Sequence, residues 1–191
     1  MIAGVLLAAG ASSRFGGDKR LHRLADGTGM ALAALHSLRD ALDEVIAVVR
    51  PGDGALATQL GSAGARVVVA HDWRSGMGSS LAFGVAALDA RATACLIALA
   101  DMPFVRAATV SRTAAPLRQG ASLVAPVYRG SRGHPVGFAA EWFSTLRRLR
   151  GEHGARDLLA VHRDRLTLVE VDDPGILLDI DYPDDLSTPR G

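Results

Sequence analysis

The sequence predicts an α/β protein, with a mainly parallel sheet in three layers and helices on both faces. Three observations predict it. Short apolar runs alternate with segments of helical spacing along the 191 residues. Most of these runs are continuous rather than alternating apolar and polar, as in strands buried on both faces. The order strand, helix, strand then closes a parallel sheet through crossover helices. The length fits a single domain, residues 1–191, able to bury roughly 70% of the unfolded chain's surface.

The elements follow in order. Residues 2–8 (Ile-Ala-Gly-Val-Leu-Leu-Ala) form the first strand, and a helix is expected near 29–42. Strand 45–49 leads to a helix near 54–63, then strand 67–70 to a helix near 79–91. Leu81, Val85 and Leu88 in that helix give the spacing of a core-facing row. Strand 95–100 precedes a helix near 106–119, and strand 122–126 precedes the segment 128–135. With two Gly and two Arg that segment is too polar for core and reads as a loop or hairpin tip. Helices near 139–150 and 155–163 and a strand at 166–171 complete the pattern. In such folds the ligand crevice lies beyond the carboxyl ends of the strands.

Composition excludes several function classes. With 21 basic and 20 acidic residues the formal charge is +1, which argues against a nucleic-acid coat or a polybasic membrane binder. Aromatics make up 5%, so the core is built from Ala, Val, Leu and Ile. Cys95 is the single cysteine, and one Cys with six scattered His offers neither an internal disulfide nor a structural zinc site. The N-terminus lacks a leading positive cluster, and no stretch approaches the ~20 apolar residues of a membrane span. A soluble, cytoplasmic protein is expected. Twenty of the basic residues are Arg, and the exception is Lys19. GC-rich coding bias accounts for the arginines, so a surviving lysine marks a position where charge alone does not suffice.

The first strand ends in Leu7-Ala8-Ala9-Gly10-Ala11-Ser12-Ser13-Arg14-Phe15-Gly16-Gly17-Asp18-Lys19. Small residues after a buried strand let backbone N–H groups face an anion, and Arg14 and Lys19 add full charges. The Walker pattern does not fit, since Arg20 follows Lys19, and the Gly-x-Gly-x-x-Gly fingerprint is absent. An ordinary flexible loop is the plainer reading. Asp101, at the end of strand 95–100 and two residues before Pro103, is a costly place for a charge unless something pairs it. A helix cap or a turn Asp is the plainer role there. Gly78-Ser79-Ser80 opens a helix and presents N–H groups and hydroxyls at its positive end. The hydrolase pattern Gly-x-Ser-x-Gly is incomplete there, because Ala82 stands where the last Gly would be.

The spaced residues Leu7-Ala8-Ala9-Gly10-x-Ser12-x-Arg14-x-Gly16-x-x-Lys19 resemble the loop of sugar-nucleotide-type nucleotidyltransferases, and within them the MobA/MocA-like proteins of molybdenum-cofactor synthesis. Further motifs follow in the family's order: Gly76-Met77-x-x-Ser80-Leu81, Asp101 with Pro103, Arg132-Gly133-His134-Pro135-Val136, Gly154-Ala155-Arg156-x-Leu158-Leu159, and Asp179-Ile180-Asp181-Tyr182-Pro183-Asp184-Asp185-Leu186. In the last, Tyr182 stands where the family has Thr.

The resemblance implies a nucleotide-diphospho-sugar transferase-like, Rossmann-like fold. It assigns the triphosphate to the loop, with Leu7, Ala8, Ala9, Gly10, Ser12, Ser13 and Gly16 binding nucleotide and Arg14 and Lys19 neutralising charge. Gly78, Ser79 and Ser80 would contact base and ribose. Asp101 would hold Mg²⁺, joined by a second carboxylate from Asp181, with Asp179 as the alternative. Arg132, His134 and Arg156 would receive an anionic acceptor. The implied reaction moves a nucleoside monophosphate from an NTP onto the phosphate of molybdopterin or its metal-loaded form, releasing pyrophosphate. Ala9 favours CTP, since the family's guanine users carry Gly there. A molybdoenzyme or its chaperone is the implied partner, with no role for nucleic acid or membrane. A sugar or alcohol phosphate acceptor, or a non-catalytic cofactor chaperone, remains the alternative.

Overall fold

The apolar run at the N-terminus forms β1 (Ile2–Leu7). Its side chains divide between two layers: Ile2 and Leu6 enter one core cluster, and Ala3, Val5 and Leu7 the other. β2 (Glu44–Val49) divides in the same way, Val45, Ala47 and Val49 against Ile46 and Val48. Successive side chains of a strand point to opposite faces, so a strand covered on both faces needs an unbroken apolar run. The computed structural model describes residues 1–10, 15, 17–182 and 185.

In chain order the remaining elements are α1 (Met30–Arg39), α2 (Gly54–Ser62), β3 (Arg66–Val69), α3 (Met77–Ala86), β4 (Ala94–Leu99), α4 (Ala107–Arg118), β5 (Leu123–Tyr128), β6 (Ser131–Arg132), β7 (Val136–Ala139), α5 (Phe143–Leu146), α6 (Arg156–Val161) and β8 (Leu166–Glu170). The sheet order is β3-β2-β1-β4-β7-β5-β6, and β8 pairs with β5. The β3/β2, β2/β1, β1/β4 and β5/β8 pairs are parallel, while β7 runs antiparallel to both β4 and β5. Helices α1, α2 and α4 cover one face, and α3, α5 and α6 the other. α3 lies close on the sheet at Gly84, where a Cβ would sit 2.5 Å from Val5 Cγ1.

Two elements differ from the sequence expectation. The segment 136–139 is a strand, zipped to β4 with Phe138 opposite Cys95 and Val136 opposite Ile97. The helix expected over 139–150 is reduced to a 3₁₀ turn, Ala140–Trp142, and the single turn α5. Gly151, at φ +80°, lies just beyond it and redirects the chain toward α3. The 128–135 segment is the β5–β6 hairpin with its turn at Arg129 and Gly130, both at positive φ.

The topology fixes where a ligand sits. From β1 the chain steps outward to β2 and β3, then returns to place β4 on the other side of β1. Strand order reverses at β1, so the crevice opens beyond the carboxyl ends of β1 and β4.

Candidate active site

At the end of β1 the Leu7 carbonyl is taken by the Ala100 N–H at 3.1 Å, and Ala8 N–H donates to Val48 O at 2.8 Å. Ala9 and Gly10 therefore leave the sheet at the point where strand order reverses. Ser12, Ser13, Arg14 and Gly16 lie outside the described residues. The chain re-enters at Asp18, whose carboxylate accepts from Arg20 N–H and caps the 3₁₀ turn Lys19–Leu21.

Arg20 is 2% exposed. Its guanidinium donates to Ala8 O, to both oxygens of Asp18 and to both oxygens of Asp53. Asp53 also accepts from Arg50 Nε at 3.1 Å, and Arg50 reaches Gly10 O at 3.2 Å. The loop is thus braced at both ends by one charge network. Burial alone would push the Asp18 carboxyl up, but hydrogen bonding and charge from Arg20 outweigh it and hold it below its ordinary value. Sequence reading missed Arg20 and Asp53. The available signal was position, since Asp53 lies just past the carboxyl end of β2.

Lys19 is nearly buried. Its Nζ donates to Asp101 Oδ2 at 2.9 Å, Asp181 Oδ1 at 2.8 Å and Ile180 O at 2.9 Å. Burial works against the ammonium, but the two carboxylates outweigh it and raise the pKa. The backbone around these acceptors is anchored by bonds that do not involve the lysine. Ile180 N–H donates to Asp101 O at 2.9 Å, joining the C-terminal segment to the end of β4. Asp185 Oδ2 accepts from the N–H groups of Asp181 and Tyr182. Upstream, buried Asp173 accepts from Arg106 N–H, Thr109 Oγ1 and Gly175 N–H, tying the same segment to the start of α4. Asp181, not the exposed Asp179, is the residue that meets Lys19 and Asp101.

The donor set suits Mg²⁺. Asp101 Oδ1 is buried with no hydrogen-bond partner, an unsatisfied acceptor beside a second carboxylate. No group of three or more His, Cys, Asp or Glu forms a closed metal cage among the described residues. Mg²⁺ needs none, because it binds through one or two carboxylates together with substrate phosphates.

Two clefts of about 490 Å³ each meet at Leu7, Met77, Leu99 and Glu152. The first is lined by Ala9, Gly10, Trp73, Arg74, Ser80 and Asp101. Trp73 carries Arg50 and Arg74 guanidinium groups 5.2 and 4.7 Å from its ring centre. Gly78 N–H is committed to Gly151 O at 2.8 Å, and buried Ser79 reaches Asp72 at 3.5 Å, so of the Gly-Ser-Ser trio Ser80 is the one lining the cleft. Gly76 packs against residue 151 so closely that a Cβ would fall 2.4 Å from its carbonyl carbon.

The second cleft has an apolar floor including Leu81, Ile97, Val136 and Leu159, and a polar rim of Arg132, His134, Glu152, His153 and Arg156. Arg132 and Arg156 are exposed. His134 N–H donates to Ile176 O at 3.0 Å. Burial lowers its imidazole pKa; Asp101 and Asp179 oppose this and Arg132 adds to it. The structure thus brings Lys19 and Asp181 onto Asp101, which lines the first cleft, and sets Arg132, His134 and Arg156 around the second.

Such a site defines a class: α/β proteins whose ligand crevice opens where strand order reverses in a mainly parallel sheet. Residues 4–166 match the MobA-like NTP transferase domain, and the chain belongs to that family of nucleotidyltransferases. Nicotine blue oxidoreductase of Paenarthrobacter nicotinovorans is 35% identical over 94% of this chain and 92% of its own. Rv0371c from Mycobacterium tuberculosis H37Rv superposes with a TM-score of 0.82 at 32% identity, covering 97% of this chain and 96% of that one. The same protein has a crystal structure in complex with manganese (31% identity, TM-score 0.78, the same coverage). A nucleotidyl transferase from Methanothermobacter thermautotroptrophicus gives 0.82 at 25% identity, over 97% and 94%. Among the described residues no helix is long and apolar enough to cross a membrane.

Proposed function

We propose that the chain acts as a single Mg²⁺-dependent nucleotidyltransferase domain, moving CMP from CTP onto the phosphate of a molybdopterin-type acceptor. The carrying observation is the cluster of Lys19 and Asp181 on Asp101, which lines a nucleotide-sized cleft, with a second cleft bearing Arg132 and Arg156 on its rim adjoining it. In this reading an acceptor phosphate oxygen attacks the α-phosphorus in line, forming a new P–O–P bond while the α–β bridge breaks and pyrophosphate leaves. When bound, Mg²⁺ would be held by Asp101 and Asp181 and would offset phosphate charge. Leu7, Ala8, Ala9 and Gly10 shape the start of the loop, and the sequence resemblance gives Ser12, Ser13 and Gly16, outside the described residues, to the triphosphate. Arg14 and Lys19 neutralise the departing pyrophosphate. Ser80 faces base and ribose, with Gly78 and Ser79 shaping that turn. Arg132, His134 and Arg156 hold the acceptor's anionic arm while the apolar floor supports its ring. Catalysis is positioning plus electrostatics, without a covalent enzyme intermediate.

Ala9, which lines the nucleotide cleft, supports CTP over GTP because its methyl narrows the base side. A cytoplasmic location and delivery to a molybdoenzyme or its chaperone fit this chemistry. Pyrophosphate release, measured with each NTP, with and without a pterin phosphate and Mg²⁺, tests the reading. Turnover should require CTP, acceptor and metal together. GTP outrunning CTP would reject the Ala9 argument, and pterin binding without turnover on any nucleotide would indicate a chaperone. The name of the 35%-identical relative supplies the rival: oxidation or reduction of nicotine blue, in place of pyrophosphate release, would favour that activity.

A further inference from the structure

We infer that in the nucleotide-free protein the Lys19 ammonium fills the metal seat between Asp101 and Asp181, so that a divalent cation gains this seat only together with a nucleotide. The inference rests on the nucleotidyltransferase reading and assigns Lys19 a second task within it. An ammonium has three donors. All three are in use, on Asp101 Oδ2, Asp181 Oδ1 and Ile180 O, at 2.8–2.9 Å. Lys19 therefore cannot contact a phosphate without surrendering at least one of them. A cation that entered alone would have to displace a positive charge that is tethered to the site. It would also leave the side chain, 10% exposed, as an uncompensated charge in a poorly solvated position. A triphosphate removes both obstacles, because it gives the ammonium new oxygens and brings the metal with it. The four-carbon stem of lysine permits such a swing, and a compact ammonium suits both positions.

The backbone that carries the two carboxylates is anchored without the lysine. Asp101 is tied through its carbonyl to Ile180, and Asp181 through its N–H to Asp185. Metal and nucleotide then bind with positive coupling, each tightening the other by the same factor. The apparent affinity for metal alone is reduced by the fraction of time the seat stands open, about tenfold if that fraction is a tenth.

Mn²⁺ titration followed by electron paramagnetic resonance, on the full chain without nucleotide, tests the seat. Lys19→Met should bind Mn²⁺ at least about tenfold more tightly than wild type. Equal or weaker binding by a variant with a native circular-dichroism spectrum overturns the inference. A measurement on the wild type covers the case of a misfolded variant. Because the chain holds a single lysine, protein grown on ¹⁵Nζ-lysine gives one side-chain ammonium signal. That signal should stay in place with millimolar Mg²⁺ alone and move when CTP and Mg²⁺ are added together. Displacement by Mg²⁺ alone to the same end point overturns the ordering. The Mn²⁺ arm needs no nucleotide, so tighter binding by Lys19→Met supports the seat whatever the turnover assay returns. Failure of that arm leaves the pyrophosphate result standing by itself.

Discussion

Replacing Lys19 by Arg keeps the charge and changes only its shape. In the wild type one nitrogen serves three converging acceptors in a nearly buried position. A guanidinium spreads five N–H donors over a plane and cannot aim three of them from one atom. It loses one or two of these bonds and must force its extra volume between Asp101 and Ile180. A hydrogen bond to a charged group contributes about 1.5–3 kcal/mol. The Asp181 share is discounted, since its side chain is 38% exposed. With overpacking included, the variant should lose roughly 2–3 kcal/mol, or about 4–12 °C in Tm for a domain of this size. Misplacing a donor on the departing phosphates should lower kcat/KM for pyrophosphate release by about 10²-fold or more. Calorimetry and the coupled pyrophosphate assay read the two effects separately. An Arg variant that melts within a degree of wild type and turns over normally would show that the lysine is a coincidence of coding.

Asp53→Asn removes one counter-charge from a guanidinium buried to 2% exposure. It should cost about 2–4 kcal/mol and, by loosening the grip on Ala8 and Gly10, raise the KM for nucleotide more than it lowers kcat, as steady-state kinetics would show. Asp101→Asn preserves shape but removes one of the carboxylates that face the nearly buried Lys19 ammonium. It should cost about 1–3 kcal/mol by thermal melt while metal-dependent turnover falls about 10²-fold or more; unchanged activity rejects its assignment. His134 has a depressed pKa, so the unfolded chain binds more protons as pH falls below about 6.5. Its contribution is fully present above that value and is lost as pH drops through the folded pKa. Urea midpoints measured from pH 7.5 downward should therefore fall less steeply in His134→Gln. Gly76→Ala meets both a φ of +106° and a Cβ 2.4 Å from the residue 151 carbonyl. It should cost more than about 2 kcal/mol by thermal melt.

The parallel half of the sheet was legible because β1, β2 and β4 are buried on both faces, and only continuous apolar sequence satisfies that. The position of the candidate site was legible for the same reason, since in such folds the ligand crevice lies beyond the carboxyl ends of the strands. β7 was not, because Val136-Gly137-Phe138-Ala139 is four residues long and merges with the apolar spacing of the turn that follows. Its identity is decided by pairing with β4, which no local pattern announces. Which of Asp179 and Asp181 meets Lys19 was equally hidden. That orientation goes with one long-range bond, Ile180 N–H to Asp101 O, which joins the segment to the end of β4 with Asp181 against Lys19.

The two adjacent cations show why coding bias accounts for the arginines but not for position 19. Lys19 and Arg20 are neighbours in sequence, both nearly buried, and both face carboxylates. Around Lys19 the acceptors converge on a point. Around Arg20 they are spread over Ala8 O, Asp18 and Asp53, and both Asp residues meet two guanidinium nitrogens. The first arrangement calls for a tetrahedral ammonium that can swing away on a flexible stem. The second calls for a planar fork that stays where it is. Exchanging the pair, Lys19→Arg with Arg20→Lys, conserves composition and net charge and should still damage both places, because the geometry of the acceptors selects each cation.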